Sequence, residues 1–384
     1  MENLKTHFHK LLRETNTDFQ RSIFNEINWN ARMIGLIGAR GVGKTTLILQ
    51  HIKLDLPTAE TLYVVADDFY FADKKLLDLA DEFEKSGGKT LFIDEIHKYA
   101  DWSRELKLIY DYHPQLKVVF TGSSILDIKK GVADLSRRAV MYQMYGLSFR
   151  EFLAMYKNIT APTFSLAEVL SHKVEIPETS HPLPLFEEYI KCGYYPFMQD
   201  EDFAVRIEQV VNQTLEVDIP QFAGMNVATG RKLKQLMAVI AKSVPFKPNF
   251  TSIASILGTS RNNIADYFLY IEDAGLIGQL RNENWEKVDK VYLDNTNLLY
   301  NLAGTMSDIG NMRETFFFNQ LKTKHKICVS PVSDFQIDNM TFEVGGKSKS
   351  KKQIKDVENG FVVKDNIEFG YDNIIPLWQF GFLY

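Results

Sequence analysis

Residues 38–46 read Gly-Ala-Arg-Gly-Val-Gly-Lys-Thr-Thr, and this stretch decides the fold of the first part of the chain. It matches the pattern G-x-x-x-x-G-K-S/T without a gap, after an apolar run at 33–37 and before a helical pattern at 44–54. Glycines let the backbone curl so that N–H groups face a phosphate, and the helix start adds partial positive charge. A plain glycine-rich turn is the alternative, but the flanking strand and helix favour a nucleoside triphosphate site.

The loop also predicts which cofactors bind. Lys44 would reach the β- and γ-phosphates, and the Thr45 hydroxyl would hold Mg²⁺. No Asn-Lys-x-Asp sequence suggests guanine recognition, so ATP with Mg²⁺ is expected. The predicted nucleotide-binding residues are Gly38, Ala39, Arg40, Gly41, Val42, Gly43, Lys44, Thr45, Thr46 and, from a later strand, Thr121.

Two carboxylates follow the apolar run at 90–93. Residues 90–93 lead directly into Asp94 and Glu95, as a buried strand does when it delivers acids to a phosphate site. Asp94 would lie beside the metal with Thr45, and Glu95 would polarise the attacking water as general base. A solvated acidic turn is the alternative, which the phosphate loop upstream makes less attractive.

Two further strand ends carry candidate residues. Thr121 ends a run at 117–121 and would sense the γ-phosphate, although it or the neighbouring Ser123 and Ser124 could instead cap the next helix. Arg137 and Arg138 precede a fifth run, and Arg138 is the preferred candidate to neutralise charge in the transition state. An adjacent arginine pair is also typical of a solvated surface.

Composition limits the class of protein. The chain has 384 residues, 45% apolar and 24% charged, which predicts a soluble globular protein of about two to four domains. No membrane-spanning run or signal peptide is recognisable, and two distant cysteines suit a reducing cytoplasm. A net charge of −5 argues against nucleic-acid binding by the whole surface but leaves local basic patches open.

Alternating apolar runs and helical segments predict an α/β fold with a parallel sheet covered by helices. The runs are 33–37, 62–66, 90–93, 117–121 and 139–145. Prolines interrupt the helical pattern that follows, with a loop expected at 176–184. The predicted parts are a helical lead-in at 1–30, a P-loop ATPase core at 31–150, a helical region at 151–228, a winged-helix-like domain at 229–295 and a small α/β domain at 296–384.

Taken together, four segments resemble those of a known family. Residues 38–46, 91–95, 120–124 and the Gly-Leu-Ser-Phe-Arg-Glu-Phe segment at 146–152 resemble prokaryotic AAA-type P-loop ATPases of the additional-strand class, over about 30–350. The resemblance implies the sheet order 5-1-4-3-2, the roles given above for the loop and the two acids, and an arginine before the fifth strand, matching Arg138. Such proteins often carry a C-terminal domain similar to restriction endonucleases.

Residues 251–278 read as a helix-turn-helix. A first helix with Ile253 and Leu257 is followed by a turn at 258–260 and a candidate recognition helix at 261–268. Its residues Arg261, Asn262 and Asn263 could reach base edges or phosphates. Winged-helix folds also pack against ATPase domains without touching DNA, and few basic residues surround this helix, so both alternatives stay open.

The C-terminal part carries a candidate second site. Glu314, Asp334, Glu343 and Lys347 resemble the PD-(D/E)xK core of nucleases, in which acids hold Mg²⁺ and a lysine steadies the attacking water. Lys347 lies two residues too far from Glu343 unless a bulge at 345–346 restores it, which favours a retained but inactive fold. The nearby basic run is a solvated loop or a phosphate-binding strip; its members are Lys347, Lys349, Lys351, Lys352 and Lys355.

The favoured function is that of a cytoplasmic, Mg²⁺-dependent ATPase acting as a nucleotide-driven switch. The alternatives are a nucleotide-regulated DNA-binding module with little turnover and an ATP-gated nuclease. ATP is the expected partner, no membrane is expected, and DNA is left open through the helix-turn-helix or the basic run. A homo-oligomer is also left open, because Arg138 could act on its own site or on a neighbour's.

Overall fold

The computed structural model describes residues 1–122, 135, 137–176, 179, 181–199, 201–284, 287–303, 308–349 and 354–384. Ser123, Ser124, Ser136, Pro177, Lys351 and Lys352 lie outside these residues. The chain divides into two compact units, Met1–Tyr145 and Gly146–Tyr384. Among the helices of the described residues, none is both long and apolar enough to cross a membrane.

The first unit is built on a five-stranded parallel sheet. Its strands are β1 (Met33–Ile37), β2 (Thr61–Val65), β3 (Thr90–Asp94), β4 (Lys117–Gly122) and β5 (Val140–Gln143). Their order is β2-β3-β4-β1-β5, so the predicted order 5-1-4-3-2, which is the same order counted from the other edge, is confirmed. Since all pairs are parallel, the carboxyl ends of the strands meet at one edge.

Helices cover both faces of this sheet. They are α1 (Glu2–Glu14), α2 (Ile23–Glu26), α3 (Lys44–Asp55), α4 (Leu76–Lys85) and α5 (Trp102–Tyr112). On one face, Phe8 of α1 and Ile48 of α3 share a core with Phe92 of β3. On the other face, α4 and α5 pack against the alternate strand residues, such as Ile93. Covering both faces explains why the predicted runs are almost continuously apolar.

The second unit begins with helices. They are α6 (Phe149–Lys157), α7 (Leu166–Leu170), α8 (Leu183–Glu188), α9 (Phe203–Gln213), α10 (Ile219–Phe222), α11 (Val227–Ser243), α12 (Phe250–Ile256) and α13 (Arg261–Asp273). Two π-helical turns, Tyr189–Gly193 and Thr214–Asp218, follow α8 and α9. An antiparallel hairpin of β6 (Ile277–Arg281) and β7 (Val288–Leu293) comes next.

The chain then forms α14 (Thr296–Leu302), α15 (Ile309–Leu321) and a second five-stranded sheet. The strands are β8 (Ile327–Val329), β9 (Phe335–Ile337), β10 (Met340–Gly345), β11 (Gly360–Lys364) and β12 (Ile374–Pro376). Strands β8 to β10 are antiparallel neighbours, and β10 to β12 are parallel neighbours. The predicted small α/β region is therefore a mixed sheet.

One main core joins the first helices of the second unit to its hairpin and its C-terminal part. Phe149 of α6, Tyr189 after α8, Tyr292 of β7 and Phe317 of α15 belong to the same buried cluster as Phe342 of β10. The predicted divisions at 228 and 295 both lie within the unit Gly146–Tyr384. The division seen along the chain lies between Tyr145 and Gly146, rather than at 150.

The Leu-Ser-Phe-Arg-Glu-Phe segment at 147–152 begins this core. Ser148 caps α6, with the reciprocal hydrogen bonds of Ser148 and Glu151 forming a capping box. Phe149 and Phe152 are fully buried, and Arg150 Nε donates to the carbonyl of Tyr384 over 3.0 Å. The segment is thus a helix start that ties α6 to the last residues of the sequence.

Candidate nucleotide-binding site

The loop at 38–43 needs its glycines for geometric reasons. Gly41 and Gly43 have φ values of 83° and 98°, in the left-handed region that other residues rarely adopt. At Gly38, a Cβ atom would lie 2.2 Å from the carbonyl oxygen of Met144. The first glycine therefore permits the close approach of the chain after β5, and the other two permit the turn into α3.

Val42 and Lys44 both anchor the loop, the first by burial and the second by hydrogen bonds. Val42 is fully buried in the core beneath α3. Lys44 is 6% exposed, and its ammonium donates to the carbonyls of Gly38 over 2.9 Å and Ala39 over 2.8 Å. The charge of Lys44 is thus held across the loop, where a phosphate would be a stronger acceptor than these carbonyls.

Arg21 is a loop contact that the sequence did not reveal. Its guanidinium, which is 8% exposed, donates to the carbonyls of Val42 and Tyr145, each over 2.9 Å. Gln50 of α3 holds the approaching chain by donating to the carbonyls of Asn16 and Phe19. Arg21 therefore links the phosphate loop to the end of β5, although it lies in the predicted lead-in.

The carboxylate of Asp94 collects donors from several strands. Oδ2 accepts from Thr45 Oγ1 over 2.6 Å and from the Tyr63 hydroxyl over 2.8 Å. Oδ1 accepts from Thr121 Oγ1 and from the Glu95 amide. The structure thus brings the predicted residues Thr45, Asp94 and Thr121 together, and adds Tyr63, which lies in the apolar run at 62–66.

The donor set fits Mg²⁺ bound together with a nucleotide. Thr45 supplies a hydroxyl and Asp94 a carboxylate, both oxygen donors next to the loop. Across the described residues, no three His, Cys, Asp or Glu side chains converge into a metal cage. Mg²⁺ in nucleotide sites does not need one, because it keeps water and phosphate ligands and uses one or two carboxylates.

Glu95 combines an unusual backbone conformation with an unusual environment. Its φ is 53°, and its side chain is 24% exposed beside His97, whose Nε2 lies 3.8 Å from Glu95 Oε2. Burial raises the pKa of the Glu95 carboxyl, and the neighbouring Asp94 raises it further, against the opposing effect of nearby cations. A carboxyl with a raised pKa is a better proton acceptor when ionised, as a general base requires.

Arg138 does not join this site within its own chain. Val140 at the start of β5 pairs with Ile34 near the start of β1, whereas the loop follows the end of β1. Arg138 therefore lies at the amino edge of the sheet, where its Nε and Nη2 each donate to Asp111 over 3.0 Å. A role at its own γ-phosphate is incompatible with this position, since the sheet separates the two.

The predicted C-terminal acids come together, but with lysines between them. Lys290 Nζ of β7 lies 3.0 Å from Glu314 Oε2 and 3.6 Å from Asp334 Oδ1. The Tyr292 hydroxyl also donates to Glu314, over 2.7 Å. Burial raises the pKa of Asp334, and the Glu314 carboxylate adds to the effect. The ammonium of Lys290 thus occupies the space between two of the acids.

The lysine that pairs with Glu343 in the structure is Lys349, whereas the sequence suggested Lys347. Lys347 is exposed, and its carbonyl accepts from Lys364 Nζ over 3.2 Å. Lys349 instead pairs with Glu343, which is 2% exposed and also accepts from Ser333. The chain reverses after β10, with Lys349 N donating to Gly346 O, so that the second lysine of the basic run points back to the acid.

At the predicted helix-turn-helix, the structure has two helices, α12 and α13, joined by a turn. Ser260 caps α13, because its hydroxyl accepts a hydrogen bond from the backbone N–H of Asn263. Gly258 adopts a φ of 57° in the turn. Arg261, Asn262 and Asn263 are exposed at the start of α13, with Asp266 also exposed one turn later. The exposed face of α13 therefore offers amides and one guanidinium rather than concentrated positive charge.

The class of the first unit follows from its topology and its family match. Residues 30–153 match the model of a family described as AAA domain. Together with the sheet order and the glycine loop, this match shows that the region has the fold of a P-loop domain of the AAA type. Domains of this type are, at the family level, nucleotide-binding ATPase domains. Residues 183–307 match a family described as a domain of unknown function, DUF8612.

A curated relative extends the similarity over most of the chain. The uncharacterized protein MJ1637 of Methanocaldococcus jannaschii is 24% identical over 410 aligned residues, covering 93% of this chain and 85% of the relative. Its name assigns no activity.

Solved structures with similar segments include nucleotide complexes. The S. cerevisiae Hsp104–ADP complex has a TM-score of 0.31 and 19% identity, over 69% of this chain and 39% of Hsp104. AMPPCP-bound DnaA from Aquifex aeolicus has a TM-score of 0.28 and 13% identity, over 71% of this chain and 88% of DnaA. PCH-2 of C. elegans has a TM-score of 0.27 and 17% identity, over 71% of this chain and 66% of PCH-2. This chain thus spans about two-fifths of Hsp104, and TM-scores this low carry no functional argument.

Proposed function

We propose that this protein is a Mg²⁺-dependent ATPase whose nucleotide state acts as a switch. The observation that carries the proposal is the contact between Thr45 Oγ1 and Asp94 Oδ2, 2.6 Å long, at the mouth of the phosphate loop. It joins a hydroxyl from the start of α3 to a carboxylate at the end of β3, with Glu95 next in the chain. These are the donors that Mg²⁺ and an attacking water require at a triphosphate.

Each residue then has a defined task. The loop amides and the Lys44 ammonium bind and orient the phosphates, exchanging the Gly38 and Ala39 carbonyls for phosphate oxygens. Thr45 and Asp94 would hold Mg²⁺, which neutralises phosphate charge when bound. Glu95 orients a water and accepts its proton as the water attacks the γ-phosphate, a role that its raised pKa supports.

The switch is proposed to start at Thr121. Its hydroxyl is fully buried between the Asp94 carboxylate and the Glu95 amide, 3.2 Å from the latter. A γ-phosphate bound beside Glu95 would favour one arrangement of this network, and its release would favour another. The end of β4 would thereby respond to hydrolysis.

The test is ATP hydrolysis with Mg²⁺ by the parent, Lys44→Ala and Glu95→Gln. Lys44→Ala should lose binding and turnover, whereas Glu95→Gln should bind ATP and lose turnover. Lys53→Ala is the matched control, because Lys53 is an exposed lysine of the same helix whose Nζ donates to the carbonyls of Arg13 and Thr15. If the parent binds ATP without hydrolysing it, the ATPase proposal fails and a nucleotide-gated binding module replaces it.

Arg138 is proposed to act only on the site of a neighbouring copy, because it lies at the amino edge of its own sheet. Mixing tests this. Arg138→Ala has an intact loop, and Lys44→Ala retains Arg138, so each should be inactive alone and the mixture should recover turnover. No recovery in a mixture shown to co-assemble would remove the role of Arg138.

A second candidate function is nucleotide-regulated DNA binding. It rests on the exposed Arg261, Asn262 and Asn263 at the start of α13, the end of a recognition helix that contacts bases. Fluorescence anisotropy with duplex DNA, with and without ATP, tests it at several salt concentrations. Loss of binding in Arg261→Ala, with a reduced salt dependence, would support this function; no DNA binding by the parent would reject it.

A further inference from the structure

We propose that Tyr63 is a positioning residue of the nucleotide site. Its hydroxyl would hold the Asp94 carboxylate in the orientation in which Asp94 and Thr45 take up Mg²⁺ with the nucleotide. The inference rests on the proposed Mg²⁺-dependent nucleotide binding, and it adds a residue of β2 that belongs neither to the loop nor to the acidic pair.

Tyr63 reaches Asp94 across the sheet. In the register of β2 and β3, Tyr63 lies opposite Phe92, and Val65 lies opposite Asp94. Because side chains alternate along strands, Tyr63, Phe92 and Asp94 project from the same face. This is the face that α3 covers, since Tyr63 and Phe92 share a core with Leu47 and Ile48. The phenol therefore runs towards the carboxyl edge and ends 2.8 Å from Asp94 Oδ2.

The Tyr63 hydroxyl and the Thr45 hydroxyl donate to the same carboxylate oxygen of Asp94. Oδ2 accepts from both hydroxyls, and Oδ1 accepts from Thr121 and the Glu95 amide. A carboxylate with donors on both oxygens cannot rotate without breaking hydrogen bonds. Of these donors, Tyr63 is the one whose hydroxyl can be deleted without altering the loop or the ends of β3 and β4.

The ring itself is held by the first helix. Tyr63 is 3% exposed, and its ring stacks on Phe8 of α1 at a centroid distance of 6.4 Å. Both rings also line a groove of about 310 Å³ between α1 and β2. The position of the hydroxyl therefore depends on α1, a helix that makes no contribution to the predicted motifs.

A partner that orients a metal-binding carboxylate typically changes metal affinity by about 10- to 100-fold when it is removed. Removal of the Tyr63 hydroxyl should not change the affinity for nucleotide in the absence of metal, because the loop and Lys44 bind the phosphates. A positioning role therefore predicts weaker Mg²⁺-dependent nucleotide binding together with unchanged binding in the absence of metal. A general loss of stability would not produce this difference.

The experiment measures binding of N-methylanthraniloyl-ATP to the full chain, first in EDTA and then during a MgCl₂ titration. Tyr63→Phe should match the parent in EDTA and need about tenfold more Mg²⁺ for half of the Mg²⁺-dependent gain in affinity. Tyr99→Phe is the matched control, because the Tyr99 hydroxyl also donates to a carboxylate of this unit, Glu105, over 2.9 Å. It should behave as the parent does.

Phe8→Leu provides a second variant that keeps the hydroxyl but loosens the ring. It should shift the Mg²⁺ requirement in the same direction by a smaller factor. The inference is overturned if Tyr63→Phe titrates as the parent does, if Tyr99→Phe shifts equally, or if Tyr63→Phe also loses affinity in EDTA. A parent that binds no nucleotide would instead reject the proposed function, a result that the EDTA measurement separates from these.

Discussion

Gly38 lies where the phosphate loop passes under the chain that follows β5. The missing side chain leaves room for the Met144 carbonyl, which a Cβ would meet at 2.2 Å. Since the obstacle is backbone rather than a flexible side chain, neither partner can yield without moving the loop.

We predict that Gly38→Ala weakens ATP binding by about 5- to 140-fold, the equivalent of the 1–3 kcal/mol that overpacking typically costs. Gly310→Ala is the control, because the atoms nearest to its new Cβ lie 3.5 Å or more away. Titration with fluorescent ATP measures both variants. Equal affinity of Gly38→Ala and the parent would contradict the steric argument.

Arg21 acts on the loop from a distance of more than twenty residues in the chain, by donating to the carbonyls of Val42 and Tyr145. Nothing in the sequence around it distinguishes it from a surface arginine. Its role follows only from burial, because two carbonyls would otherwise lack this charged donor.

We predict that Arg21→Met lowers the free energy of unfolding by about 2–3 kcal/mol, since hydrogen bonds to charged groups contribute about that much, and weakens ATP binding. Arg13→Met, an exchange at an exposed position of α1, is the control. Denaturant titrations and ATP binding measure both. Equal stability of the two variants would show that the loop does not depend on Arg21.

At the scale of elements, the C-terminal acids are held by a strand from outside the predicted domain. Lys290 belongs to β7, Glu314 to α15 and Asp334 to the turn before β9. The ammonium compensates both carboxylates where a nuclease would need a metal. This arrangement favours a structural role for the cluster over the ATP-gated nuclease.

We predict that Lys290→Met lowers the free energy of unfolding by about 1–2 kcal/mol, because it leaves two partly buried carboxylates without their cation. Adding Glu314→Gln should restore part of the loss. Lys247→Met is the control, since Lys247 pairs with a single acid, Asp289, and is 57% exposed. Denaturant titrations measure all variants, and equal losses in Lys290→Met and Lys247→Met would contradict the prediction.

At the scale of the molecule, stability should depend on pH through His51 of α3. Its ring is buried, stacks on Trp29 at 3.8 Å and lies 2.8 Å from Asp55. Burial lowers the pKa of His51 despite the opposing effect of Asp55. The unfolded chain therefore binds a proton more readily than the folded one, so the free energy of unfolding decreases as pH falls below about 6.5.

We predict that His51→Phe, which keeps an aromatic ring against Trp29, reduces the decrease in thermal midpoint between about pH 7.5 and about pH 5.5. His7→Phe, an exchange on the exposed side of α1, controls for the substitution itself. Thermal unfolding followed by fluorescence measures the midpoints. An unchanged slope in His51→Phe would exclude this histidine as a source of acid sensitivity.

The two units differ in how far local sequence determines them. In the first, each strand and its following helix pattern lie together in the chain, so a parallel sheet was predictable from the residues. The order of its strands was implied by the family resemblance. In the second, Phe149, Tyr189, Tyr292 and Phe342 share one core although the chain between them is long. Contacts at that separation leave no local pattern, so this shared core was not predictable from the sequence.

The sequence by itself determined the phosphate loop, the acidic pair after β3 and the sheet that carries them, because neighbouring residues supply each of these geometries. Only the tertiary structure decided that Arg21 contacts the loop and that Tyr63 contacts Asp94. It also decided that Lys349 rather than Lys347 pairs with Glu343, and that Arg138 lies at the amino edge of the sheet. Those outcomes depend on which distant segments pack together. The free energy of such packing comes from contacts throughout the core, and no single stretch of the sequence determines it.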